Sequence, residues 1–450
     1  MNDWLPALPT NRRAVLAGAA ALPVLAAARP AAASVAHPLA PAPPMGWNSW
    51  NSFATTITEE QAIETAQIMA DRLKPAGYDV FTIDIQWYEP GASSYTYAAH
   101  PLPTMDGFGR LQPAPNRFPS SAGGRGFGPL AASVHALGLR FGVHLMRGIP
   151  REAVRRNLPV FGTTLHAQDI ADTSSVCPWN PDMYGVDMRR PGAQAYYDSV
   201  FALLAHWGVD FVKMDDMSRP YDAHLPEIEA AHHAIQASGR PIILSLSPGE
   251  TPLPRAAHVR RFAQMWRISD DFWDEWPLLL AQFTRLENWA GQASPGCWPD
   301  ADMLPLGRLA LGARDTRFTP DEQRTLMTLW SIARSPLIMG GDLRHLDEAT
   351  AALLTNPEVI AVNQHSSGNR PHFVADGIRI WSAKSPDGAR YLALFNTTDK
   401  PIDFSCDVRT LELMPVRRAR DLWARSDLPP MGSRISCSLV PHGAALLKLW

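Results

Sequence analysis

Cysteine is scarce in this chain of 450 residues: Cys177, Cys297, Cys406 and Cys437 are its whole complement. None stands at metal-ligand spacing, and four are few for an exported protein. Cys406 and Cys437 share a strand-rich segment where a disulfide would be expected. Cys177 and Cys297 read equally well as free, buried thiols. Charge of one sign is lacking too, and a net charge of −3 gives no reason to expect nucleic acid or an anionic membrane as partner. Long hydrophobic runs are missing outside the N-terminus. There the run Ala14–Ala28 falls short of the ~20 residues a bilayer needs, and it contains Pro23. No repeat of solenoid period is present, and no low-complexity segment beyond that region.

The N-terminal run reads as an address. Asn11-Arg12-Arg13 precedes it and the small residues Ala31-Ala32-Ala33-Ser34 follow, so residues 1–33 are expected to be a twin-arginine-like export signal. The mature chain is then expected in the periplasm or outside the cell. Tryptophan, by contrast, is plentiful, at 15 residues. Trp47, Trp50, Trp87, Trp179, Trp266 and Trp298 lie near turn-rich segments or expected strand ends. Core packing competes for each, but flat aromatic faces also suit the C–H side of a sugar ring.

From Pro43 to about Gln364, β-like runs alternate with helical ones. In TITEEQAIETAQIMADRLKPAG, Thr58 is the expected N-cap with Gln61 completing a capping box. Ile63, Ala66, Met69 and Leu73 form the expected buried stripe, and Pro75 with Gly77 stops the helix. RPGAQAYYDSVFALLAHWG follows the same grammar, with Pro191 near the first turn and Gly208 as the stop. Strands are expected around Met45–Trp50, Val80–Ile85, Leu139–Leu145, Val209–Met214, Ile242–Leu246, Gln264–Ile268, near Trp289, and Ser335–Met339. Strict alternation of this kind predicts an α/β fold, a (β/α)8 TIM barrel over residues 34–364. Beyond it, FVADGIRIWSAK, ARYLALFNTT and AALLKLW are short runs split by turn residues, which predicts a small antiparallel β-domain over 365–450.

In such a barrel the reactive groups sit at the C-terminal strand ends. The polar residues ending these runs are Asp84, His144, Lys213, Asp215, Ser247, Arg267 and Asp271. Lys213 and Asp215 are two residues apart and so share one strand face. Arg267, Ser269 and Asp271 repeat that period. A lysine beside Asp215 keeps that carboxylate ionised, as a nucleophile requires. Asp271, near Arg267 and flanked by Trp266 and Phe272, suits a group that cycles between acid and base. Two such carboxylates are what a retaining glycosidase uses. The competing readings are a Schiff-base Lys213, a plain Arg267–Asp271 salt bridge, Asp270 in place of Asp271, and a barrel that binds carbohydrate without cleaving it. Asp300 and Asp302 lack the further ligands a metal would need, so no metal is expected and Asp302 reads as substrate-contacting or supporting.

PPMGWNSWNSF, the strand ending in Asp84, GLRFGVH, WGVDFVKMDD, MWRISDD, PDADML and SIARSPLIMGGDLRHLDEATAALLTNPEVIAVNQ together resemble glycoside hydrolase family 27 across residues 43–364. This is the family of α-galactosidases and α-N-acetylgalactosaminidases. The resemblance implies a (β/α)8 barrel with an antiparallel C-terminal domain, a retaining double displacement and no cofactor. It implies a carbohydrate partner (an oligo- or polysaccharide or a glycoconjugate) for a monomer or homo-oligomer. It puts the nucleophile on Asp215, the acid/base on Asp271, and substrate contacts on Trp50, Asp84, Lys213, Arg267 and Asp302. Four departures from the family pattern stand out. Ile85 replaces the second of two adjacent aspartates, His144 a tyrosine, Met217 a disulfide-forming cysteine, and Ser247 a bulkier residue near the sugar's C2. α-Galactosidase is the expected activity, with weaker action on simple α-galactosides than the family norm; α-N-acetylgalactosaminidase, whose branch the small Ser247 resembles, or another family 27 α-glycosidase of altered sugar specificity, is the alternative.

Overall fold

The computed structural model describes residues 38–372, 375 and 377–450. The expected export signal lies outside the described residues, as do Phe373, Val374 and Asp376 at the start of FVADGIRIWSAK. Eight parallel strands form the first layer: β1 (Met45–Asn48), β2 (Val80–Ile83), β3 (Arg140–Met146), β4 (Phe211–Asp215), β5 (Ile243–Leu246), β6 (Met265–Arg267), β7 (Trp298–Asp300) and β8 (Leu337–Met339). They lie side by side in the order β7-β6-β5-β4-β3-β2-β1-β8, the sequential order of a (β/α)8 barrel. The β7–β8 seam is joined by one parallel bridge, Leu304 to Met339, rather than by a ladder. Among the described residues no helix is long and apolar enough to cross a membrane.

Seven strands fall where the alternation predicts them, and the seventh does not. WPLLLAQFTRLEN is the helix Trp276–Asn288, and Trp289 caps it. The strand is Trp298–Asp300, three residues between Gly296 and a turn, too short to show any period. The first long helix, Glu59–Arg72, has the predicted Thr58–Gln61 capping box. Ala66, Met69 and Leu73 of the expected stripe are buried, but Ile63 is exposed and Ala62 takes its place on the buried face.

Taken in steps of two, the inward positions change character along each strand. Val80, Phe211, Ile243, Met265, Trp298 and Ile338 pack together as an apolar plug. Two residues on, Thr82, Lys213, Ser245, Arg267 and Asp300 surround a cavity of about 20 Å³, room for a single water. Two residues further stand Asp84, Asp215, Ser247 and Asp302. Because side chains alternate along a strand, period two turns this gradient into a polar floor at the C-terminal end of the barrel.

The second domain is antiparallel. A sheet of six strands (Ser367–Pro371, Ile378–Lys384, Arg390–Asn396, Ala444–Leu449, Ala419–Asp421 and Ser426–Leu428) is accompanied by the pair Ile402–Asp407 and Arg434–Leu439. Cys406 and Cys437 sit on that pair but are not bonded. Cys406 faces Ile435 and Cys437 faces Phe404, so the two thiols are diagonal neighbours, beyond the usual reach of a disulfide. Cys177 and Cys297 are also free, the first buried and the second partly exposed.

Candidate active site

A cavity of about 480 Å³ opens at the C-terminal ends of the barrel strands. Of the residues singled out from the sequence, Trp50, Asp84, Lys213, Asp215, Asp271 and Asp302 line it. His144, Ser247 and Arg267 are almost fully buried behind its wall. Trp50 and Trp179 lie on the wall, whereas Trp47, Trp87, Trp266 and Trp298 are buried in the core. For those four, packing wins over sugar contact.

Charge is concentrated on the cavity floor. Lys213 Nζ lies 2.8 Å from Asp84 Oδ2 and 3.8 Å from Asp215 Oδ2, bridging the ends of β2 and β4. Asn48 Nδ2 donates to Asp84 Oδ2 at 2.7 Å, and the Ile85 amide donates to Asp84 Oδ1 at 2.8 Å, which fixes that carboxylate. His144 Nε2 stands 3.0 Å from Asp215 Oδ2. Burial pushes the Asp215 carboxyl up, but Lys213, His144 and Ser247 outweigh it and hold the group well below the usual carboxylate range. Burial likewise favours neutral Lys213, yet Asp215 and Asp84 keep it charged to higher pH than a free lysine. Asp84, His144 and Asp215 bring three ligand-type atoms within 4.8 Å of one another, but the Lys213 ammonium already sits on this cluster as its cation.

The opposite side is organised by Arg267. Its Nη2 is 2.8 Å from Asp302 Oδ2 and 3.3 Å from Asp271 Oδ1. The Asp271 side chain is 56% exposed, while Asp302 is buried and its carboxyl is raised by burial against the pull of Arg267. Asp302 has a left-handed backbone, φ 85°, held by its amide donating to Asp300 Oδ1 at 2.9 Å. Asp270, the competitor of Asp271, lies at the exposed mouth of the cavity, paired with Arg219 at 2.5 Å rather than with Arg267.

Several residues of the site carried no clear signal in the sequence. Tyr95 and Tyr97, from the loop after β2, line the cavity beside Trp50, at ring centroids 5.3 and 6.5 Å away. Their only trace is an aromatic pair in a run of small residues. Arg147, at the end of β3, reaches behind the nucleophile candidate: its guanidinium donates to Asp216 Oδ2 at 2.7 Å and to Glu227 Oε1 at 2.6 Å. Asp216, φ 61°, is thereby held in a left-handed turn immediately after Asp215.

The alpha-galactosidase A family matches residues 184–365, and the alpha-galactosidase C-terminal β-sandwich domain matches 375–449. A solved β-L-arabinopyranosidase of glycoside hydrolase family 27 from Geobacillus stearothermophilus is 50% identical, covers 91% of this chain and 97% of its own, and superposes with a TM-score of 0.90. The chain belongs to glycoside hydrolase family 27. An alanine variant of the same Geobacillus enzyme, solved in complex with arabinose, is 49% identical, with 91% and 97% coverage and a TM-score of 0.90. The α-galactosidase of Oryza sativa is 27% identical over 412 residues, 90% of this chain and 84% of the relative. The family 27 assignment makes this protein a glycoside hydrolase.

Proposed function

We propose that this hydrolase is a retaining exo-glycosidase for sugars of the galacto configuration, and that it favours β-L-arabinopyranosides over α-D-galactosides. The two sugars share their ring configuration; β-L-arabinopyranose lacks only the hydroxymethyl group on C5. Ile85 carries the choice. It lines the cavity directly after Asp84, where family members usually carry a second aspartate. An isoleucine offers the distal hydroxyl of galactose no acceptor and fills the space that the hydroxymethyl group needs, while a pentopyranose leaves both demands unmade. The likeness to an arabinopyranosidase supports the same reading. The α-galactosidase expectation keeps its ring configuration and is refined at this one carbon.

In the mechanism the Asp215 carboxylate attacks C1, and the bond from C1 to the leaving oxygen breaks as Asp271 delivers its proton to that oxygen. Asp271 then takes a proton from water, whose oxygen displaces Asp215 from C1. Lys213 and His144 beside Asp215 support the first role. The exposure of Asp271 at the mouth, where a leaving group departs, supports the second.

Two measurements test this. The ratio of kcat/KM for 4-nitrophenyl β-L-arabinopyranoside over the α-D-galactopyranoside is expected to exceed about ten in the parent. It should fall by roughly ten- to a hundredfold in Ile85→Asp, the worth of one charge-assisted hydrogen bond. A parent that prefers the galactoside overturns the choice of sugar. Separately, Asp215→Ala should abolish turnover of every substrate, while Asp271→Ala should spare activated phenols in the first step and fail on poor leaving groups. Equal losses on both would move the acid/base role to another residue.

A further inference from the structure

The cavity is larger than one sugar ring requires, and the part beyond the catalytic carboxylates has a composition of its own. We propose that Arg219, Asp270 and Trp179 form a second subsite that binds a sugar on the leaving-group side, so that the enzyme's substrates carry a saccharide rather than a lipid or aryl aglycone. The inference rests on the glycosidase reading above and adds the chemistry of the aglycone.

Position comes first. Asp270 is the neighbour of Asp271, the residue that faces the departing oxygen, and both line the cavity. Asp270 Oδ1 is paired with Arg219 Nη2 at 2.5 Å, with side chains 64% and 58% exposed. An ion pair this exposed contributes about 0–1 kcal/mol to stability, so holding the fold together does not account for it. What it presents at the mouth is a donor fork beside an acceptor, the arrangement that reads two adjacent hydroxyls.

The seat of Arg219 is built into the backbone. Gly249, φ 96°, lies under it, and a Cβ there would come within 3.3 Å of Arg219 Cβ and 3.5 Å of its Nε. Glycine at 249, with its positive φ and no side chain, leaves Arg219 room to lie across the loop after β5.

Trp179 supplies the flat face. It lines the cavity and is 39% exposed, unlike the core tryptophans, with Tyr97 tilted against it at 5.9 Å. The loop that carries it and the loop after β4 that carries Arg219 meet at this cavity. Trp179 and Arg219 therefore rise from adjoining loops. A pyranose or furanose lying on the indole would meet the Arg219–Asp270 pair with its hydroxyls.

The test compares two substrates of whichever sugar the parent turns over faster, β-L-arabinopyranose or α-D-galactose. One is its glycosyl fluoride, which has no aglycone; the other is a disaccharide carrying it at the non-reducing end. In Arg219→Ala and in Trp179→Ala, kcat/KM for the disaccharide is expected to fall at least about tenfold further than that for the fluoride. Calorimetric binding to Asp215→Ala gives a second readout, in which adding Arg219→Ala should weaken the disaccharide and leave the free monosaccharide less affected. Losses that match on both substrates to within about twofold, with equal effects on both ligands, overturn the subsite. A parent that acts on neither fluoride sinks the sugar assignment instead, and the binding comparison on the parent then decides the subsite.

Discussion

At the scale of single residues, the site is a set of carboxylates whose surroundings pull their proton affinities apart. Asp215 faces Lys213 and His144 and is held ionised. Asp300, one layer of side chains above the apolar plug, is buried, and its carboxyl is pushed up to about 7 despite Arg267 nearby. The unfolded chain releases that proton near pH 3.9, so between about pH 4 and 7 the folded protein holds a proton that the unfolded chain has lost. Stability from this residue is therefore fully present below about pH 4, declines as pH rises, and is gone above about 7. Asp300→Asn removes the titration while keeping an oxygen to accept the Asp302 amide. Urea unfolding at pH 4.5 and 7.5 should show the variant gaining on the parent as pH rises, by an amount on the order of a few kcal/mol. Parallel pH dependences would mean that Asp300 titrates as an ordinary carboxylate.

At the scale of elements, what was legible followed the strength of local period. The helix with its Thr58 cap, the strand Phe211–Asp215 and the polar residues closing each strand could be read because alternation and capping leave marks on neighbouring residues. The strand Trp298–Asp300 could not, since three residues containing a proline carry no period and the apolar run before it belongs to a helix. The site shows the same division. Asp84, Lys213, Asp215 and Asp302 end short apolar runs or lie just beyond them and so announce themselves. Whether a residue then lines the cavity or supports it from behind depends on depth along the barrel axis, which sequence spacing does not encode; His144, Ser247 and Arg267 are the cases in point. Tyr95, Tyr97 and Arg219 come from loops without any period, and only the fold brings them to the mouth.

At the scale of the molecule, the two domains share a core rather than a hinge. Trp381, Tyr391, Phe395 and Leu446 of the C-terminal sheet belong to the same buried cluster as the barrel's Phe283 and Leu326, with Phe283 and Phe395 edge to face at 5.0 Å. Polar contacts flank that patch: Arg379 pairs with Glu287 at 2.7 Å, His442 with Glu322 at 2.8 Å, and His442 stacks on Trp276 at 3.6 Å. An interface with an apolar centre and a paired rim couples its halves, because parting them would expose both faces to water. The sheet therefore braces the helices Trp276–Asn288 and Pro320–Ala333, and through them the loops that carry Asp271 and Asp302. Calorimetry on the full chain should give one unfolding transition, with catalytic activity and the β-sheet circular dichroism lost together. Phe395→Ala, which opens a cavity worth about 3–5 kcal/mol in that patch, should lower this single transition and the temperature of activity loss alike. Two resolved transitions, only one of them moved by the substitution, would mean that the sheet is an independent appendage and the barrel holds its site without it.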